Sequence, residues 1–155
     1  MIEEAGGRSL HHVYLGLGSN LGDRRHHIQR AISLIDQRVG KVIRQSTTIE
    51  TEPWGYESDS RFLNGVVLVE TGLTPRQLLY VTQQIERELG RDYKGGAYHD
   101  RTIDIDILLY DDITLDEPDL KIPHPLMYER DFVMIPLKEI SDCSLQVRRL
   151  RRETK

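Results

Sequence analysis

The chain has 155 residues, of which 38% are hydrophobic and 30% charged, with a formal net charge of −4. That length supports one domain with a real core, and the acidic balance implies no large basic footprint for nucleic acid. No run of about 18 apolar residues exists to span a membrane, and the single Cys143 excludes an internal disulfide and fits a reducing, cytoplasmic compartment.

The segment 1–12 lacks the apolar core of a signal peptide and reads as an N-terminal extension. Val13 to Leu17 reads as a short buried strand. Gly16-Leu17-Gly18-Ser19-Asn20-Leu21-Gly22 then reads as a tight strand-to-helix turn. A dinucleotide fingerprint would need Gly where Leu21 stands, and a phosphate-binding P-loop would need a Lys-Ser or Lys-Thr pair. Asp23 caps a predicted helix running to Val39, with Ile28, Ala31, Ile32, Ile35 and Val39 on one face and Gly40 as its stop. The pairs His11-His12 and His26-His27 point apart and make no metal clamp. Lys41 to Glu50 and Phe62 to Thr71 read as strands rich in β-branched residues. Thr74-Pro75-Arg76-Gln77 is a capping box with Pro at the first helical position. The helix it opens carries Leu78, Val81, Ile85 and Leu89 on one face and ends at Gly90. A strand around Asp104 follows, and Pro123 to Ile140 holds one or two short helices. The order β-α-β-β-α-β predicts an α+β fold with a ferredoxin-like core, a mainly antiparallel sheet with helices packed on it in three α-β-α layers. One domain over 13–145 is expected, followed by a basic tail over 146–155. The loops Thr51 to Arg61 and Arg91 to Asp100 are long for simple connections.

The strand Arg101-Thr102-Ile103-Asp104-Ile105-Asp106-Ile107-Leu108-Leu109 carries the chemistry. Side chains alternate on a strand, so Ile103, Ile105, Ile107 and Leu109 are expected on one face and Asp104 and Asp106 on the other, roughly 7 Å apart. Two neighbouring carboxylates that lose hydration repel each other and call for a cation. Hard oxygen ligands with no Cys or His beside them suit Mg²⁺ completed by water and phosphate. Arg101 is placed to meet the same phosphates. An ordinary half-exposed strand with its carboxylates in water is the other reading of this pattern.

Five segments together resemble the hydroxymethyl-dihydropterin pyrophosphokinase family of folate biosynthesis. They are Tyr14-Leu15-Gly16-Leu17-Gly18-Ser19-Asn20-Leu21-Gly22, Thr51-Glu52-Pro53-Trp54-Gly55, Phe62-Leu63-Asn64, the strand from Arg101 to Leu108, and Ile122-Pro123-His124-Pro125. The resemblance implies transfer of pyrophosphate from ATP to the hydroxymethyl oxygen of 6-hydroxymethyl-7,8-dihydropterin, with AMP released. It implies two Mg²⁺ ions on Asp104 and Asp106, with Arg91 and Arg101 facing phosphate. Phe62 and Phe132 match the family's stacking pair for the pterin ring, with Asn64, Thr51, Pro53 and Trp54 at its edge. Gln83, Glu86, Lys94, Tyr98, Arg101, Ile107, Lys121, His124 and Arg130 fall on the ATP side. The product is expected to pass to dihydropteroate synthase.

Some positions depart from the family pattern. Tyr93 and Ala97 stand at two commonly Arg positions, Tyr98 at a common Trp, and Asp119 at a commonly basic site, with Lys121 close by. Fewer fixed cations should weaken ATP binding or slow closure of the loop. Both long loops are expected to close over bound substrates, with Gly95-Gly96 supplying freedom. Other readings of the Asp pair are a metal-assisted phosphate hydrolase and a non-catalytic binding module.

Overall fold

The computed structural model describes residues 10–52, 61–90 and 102–141. The chain order is β1 (His11–Ser19), α1 (Arg24–Arg38), β2 (Gly40–Gln45), β3 (Ile49–Thr51), β4 (Phe62–Thr71), α2 (Pro75–Glu88), β5 (Asp104–Tyr110), β6 (Leu115–Glu117), β7 (Leu120–Ile122) and α3 (Asp131–Ile140), with a short 3-10 helix at Met127–Glu129 before α3. The five-stranded sheet is ordered β2-β4-β1-β5, with β3 also paired to β4, and all of these pairings are antiparallel. This is the ferredoxin-like arrangement expected of an α+β chain.

Two apolar clusters lie on opposite faces of the sheet. One joins Val13, Leu15 and Leu17 of β1 to Ile28 and Ile35 of α1 and to Leu78 and Ile85 of α2. The other joins Tyr14, Val66 and Leu108 to Val133, Met134 and Leu137 of α3. The layers are therefore α1 with α2, then the sheet, then α3.

Local chemistry explains the helix starts. The Asp23 carboxylate accepts from the His26 N–H at 3.2 Å. Thr74 and Gln77 form a reciprocal capping box, and Pro75 occupies the first turn. On α2 the buried residues are Leu78, Thr82, Ile85 and Glu86. Val81 and Leu89 pack against the same core from the margins of this stripe, which also carries an acidic side chain inward.

Three expectations are corrected. The stretch Lys41 to Glu50 is two strands, because Ser46, Thr47 and Thr48 interrupt it. Ser46 Oγ accepts from the Val66 N–H at 2.9 Å, and the Thr47 hydroxyl donates to Glu139 at 2.8 Å. Leu109 does not share the face of Ile103, Ile105 and Ile107. A bulge at Leu108 (Tyr14 pairs Leu109, whereas Leu15 pairs Ile107) turns Leu109 toward α3 and Tyr110 toward the helical layer. Gly16 and Gly18 lie within β1 rather than in a turn, and the chain turns after Ser19. The hairpin β6–β7 had no expectation attached to it. Among the described residues no helix is long and apolar enough to cross a membrane.

Candidate active site

Strand register builds the site. Gly18 of the inner strand β1 stands opposite Asn64 of β4 on one side and Asp104 of β5 on the other. One row along, Gly16 stands between Val66 and Asp106. Neighbouring strands lie ~4.8 Å apart, so Asn64 and Asp104 are roughly 10 Å apart at the backbone. Between them β1 offers no side chain, which leaves a glycine floor.

Over that floor lies a cleft of about 590 Å³. Thr51, Phe62, Asn64, Phe132, Asp104 and Asp106 all border it. Thr51 and Phe62 are paired across β3 and β4. Asn64 Nδ2 donates to Thr51 Oγ1 at 2.8 Å, which leaves the amide oxygen as the acceptor end turned toward β1. Phe62 and Phe132 are half-buried on this cleft, and Phe132 also packs against the apolar cluster under α3. Arg130 borders this cleft too, with its guanidinium carbon 5.5 Å from the centre of the Phe132 ring.

A second cleft of about 860 Å³ lies along the outer edge of β5. Gln83, Glu86, Ile107, Lys121 and His124 border it, and so does Asp106. Asp106 therefore belongs to both clefts.

The outer edge of β5 is held by two contacts. The Ile105 N–H donates to the Glu86 carboxylate at 2.7 Å, and the His124 N–H donates to the Leu108 carbonyl at 3.0 Å. Glu86 is only 3% exposed, and its carboxylate holds the strand between the two aspartates. His124 Nδ1 accepts from the Leu126 N–H at 3.3 Å, which leaves the proton of the neutral ring on Nε2. Burial pushes the His124 imidazole down to about 4; the Arg130 cation adds to this and Asp104 opposes it. The ring is neutral near pH 7 and offers the second cleft one N–H donor rather than a charge.

The hairpin forms the far wall of this cleft through Pro118 to Lys121. Arg76 of α2 clamps it, donating to Asp119 at 2.8 Å and pairing with Glu117. The guanidinium of Arg76 holds the Asp119 carboxyl below its usual range. Lys121 Nζ rests on Asp116 Oδ1 at 2.5 Å.

Among the described residues no group of three or more His, Cys, Asp or Glu side chains surrounds a metal position. The two half-buried carboxylates fit a hard cation whose remaining ligands come from water and phosphate oxygens. Pro53, Trp54, Arg91, Lys94, Tyr98 and Arg101 lie outside the described residues, as do Tyr93 and Ala97. Sequence reasoning missed the glycine floor. Alternating glycines inside a strand mark a close approach, and that signal was present.

The family model described as 7,8-dihydro-6-hydroxymethylpterin-pyrophosphokinase (HPPK) matches residues 14–142. The chain is 51% identical over 132 residues to the 2-amino-4-hydroxy-6-hydroxymethyldihydropteridine pyrophosphokinase of Porphyromonas gingivalis, covering 83% of this chain and 90% of that protein. It is 44% identical over 129 residues to the Bacillus subtilis protein of the same name, covering 83% and 77%. The fold is similar to the crystal structure of Plasmodium falciparum HPPK-DHPS with pteroate, with a TM-score of 0.68 at 19% identity. That superposition covers 94% of this chain and 42% of that longer one.

Proposed function

The chain belongs to the 7,8-dihydro-6-hydroxymethylpterin-pyrophosphokinase family, and from that premise we propose how its two clefts divide the work. The protein is an ATP-dependent pyrophosphokinase of folate biosynthesis. It transfers pyrophosphate from ATP to the hydroxymethyl group of 6-hydroxymethyl-7,8-dihydropterin. The pterin occupies the first cleft and ATP the second. The observation that carries this assignment is that Asp106 borders both.

In the first cleft Phe62 and Phe132 sandwich the flat ring, and the Asn64 and Thr51 pair reads its edge. The ring spans the floor from Asn64 to Asp104, so its hydroxymethyl group arrives beside the carboxylates. In the second cleft the Ile107 backbone edge and Gln83 face the nucleoside, while Lys121 and His124 face the phosphates. Arg130, reaching from the first cleft, meets the triphosphate where the two join. Arg91 and Arg101 complete the phosphate contacts.

The hydroxymethyl oxygen attacks the β-phosphorus. The bond from that phosphorus to the oxygen bridging it to the α-phosphate breaks, and AMP leaves. Asp104 and Asp106 would hold two Mg²⁺ ions, which supply charge neutralisation along the triphosphate and acidify the attacking hydroxyl. The aspartates orient both reactants in line and their two charges keep the cations at the junction. The site lies in the cytoplasm, and the product passes to dihydropteroate synthase. The pairing of both names in the P. falciparum HPPK-DHPS structure supports that handoff.

Nucleotide products measured after mixing the protein with MgATP and pterin test the reading. Stoichiometric AMP that appears only with pterin is expected; ADP, or phosphate release without pterin, overturns it. Asp104→Ala and Asp106→Ala should each stay folded by circular dichroism and lose more than a hundredfold of the AMP rate. Unfolded variants would make these carboxylates structural.

A further inference from the structure

Gly16 and Gly18 share the cleft-facing side of β1, yet a side chain would meet different surroundings at each. The nearest atoms to a Cβ on Gly16 would be those of the Leu108 side chain, at 3.5–3.6 Å, an ordinary packing distance. A Cβ on Gly18 would lie 3.0 Å from Asn64 Oδ1 and 3.4 Å from Phe62 Cδ1. Backbone geometry does not require glycine there, because the described glycines with positive φ are Gly22 and Gly90. A glycine within a strand costs stability relative to alanine. What stands against a side chain at 18 is therefore its contact with Asn64 and Phe62 rather than the backbone.

The group that a methyl would displace is the amide oxygen of Asn64. That side chain is 6% exposed and its nitrogen is committed to Thr51 Oγ1. The bond to Thr51 Oγ1 restricts the few tenths of an ångström by which the amide oxygen would have to give way. We propose that Gly18 determines pterin specificity as a positioning residue: its missing side chain keeps the Asn64 carboxamide where it reads the edge of the ring. The inference rests on the assignment of the first cleft to the pterin.

A double-mutant cycle tests it. Pterin affinity is measured by titration calorimetry, with a non-hydrolysable MgATP analogue present, for wild type, Gly18→Ala, Asn64→Ala and the double variant. Nucleotide affinity and melting temperature are measured beside it. Gly18→Ala is expected to weaken pterin binding at least tenfold, leave nucleotide affinity within twofold, and melt within a few degrees of wild type. In the Asn64→Ala background the same change should add less than threefold. Pterin affinity of Gly18→Ala within twofold of wild type overturns the proposal, and so does a tenfold loss repeated in the Asn64→Ala background. A Gly18→Ala protein that unfolds and is not restored by Asn64→Ala also overturns it, since Gly18 would then serve packing. Wild-type protein that turns over no pterin would instead overturn the function itself, and the inference with it.

Discussion

Glu86 borders the second cleft and also holds the strand that carries the two aspartates. Its carboxylate takes the Ile105 N–H, the peptide between the two aspartates. Loss of that acceptor orphans a buried donor, at a cost of roughly 1–3 kcal/mol. Glu86→Gln keeps an acceptor oxygen and should retain activity within about threefold. Glu86→Ala should lower kcat at least tenfold and raise the Mg²⁺ concentration needed for half-maximal rate. Unaltered Mg²⁺ dependence with only the ATP KM raised would show that Glu86 serves the nucleotide directly. His124 supports a pH prediction. Its folded pKa of about 4 lies below the unfolded value of 6.5, so the unfolded chain takes up the proton first. The stability from the neutral ring is complete above pH 6.5 and is lost as the pH falls toward 4, by at most about 3 kcal/mol. His124→Gln should flatten that part of the stability profile in urea titrations at pH 7, 5.5 and 4.5. Equal slopes for the two proteins would refute the assignment.

At the scale of elements, the hairpin β6–β7 and the end of β5 matter most. The hairpin strands cover only Leu115–Glu117 and Leu120–Ile122, and the hairpin contributes one wall of the second cleft. Arg76 holds that wall to α2 through Asp119 and Glu117. The ion pairs are exposed, so their contribution to global stability is small. Arg76→Ala should therefore melt within a few degrees of wild type yet raise the ATP KM severalfold, with pterin affinity unchanged. A lowered pterin affinity would mean that the hairpin reaches the first cleft. The Leu108 bulge has a different effect. It leaves Asp104 and Asp106 on the cleft side while Leu109 joins the α3 layer, so β5 packs against both helical layers beyond the site.

For the whole molecule, Asp106 is the side chain at which the two clefts meet. Ions held by both the carboxylates and the triphosphate, as proposed above, would link the ligands thermodynamically, and such linkage is reciprocal. Pterin affinity should rise at least fivefold when a non-hydrolysable ATP analogue and Mg²⁺ are both present. The gain should vanish when EDTA is added or when Asp106 is replaced by Ala. A gain that persists without Mg²⁺ would place the coupling in the protein rather than in the shared ions.

Local patterns determined a large part of this protein. Periodicity marked α1, the capping box marked the start of α2, and alternation on β5 separated Asp104 and Asp106 from the isoleucines. These follow from interactions between residues near in sequence, which is why a sequence alone shows them. The break at Ser46–Thr48 and the buried Glu86 of α2 depend on partners far along the chain, such as Glu139 and Ile105. The glycine floor belongs to the same class. Gly18 is one residue among twelve glycines until β4 and β5 set Asn64 and Asp104 on either side of it. Which side chains face which gap is decided by strand register between distant segments, and only the tertiary structure supplies that register.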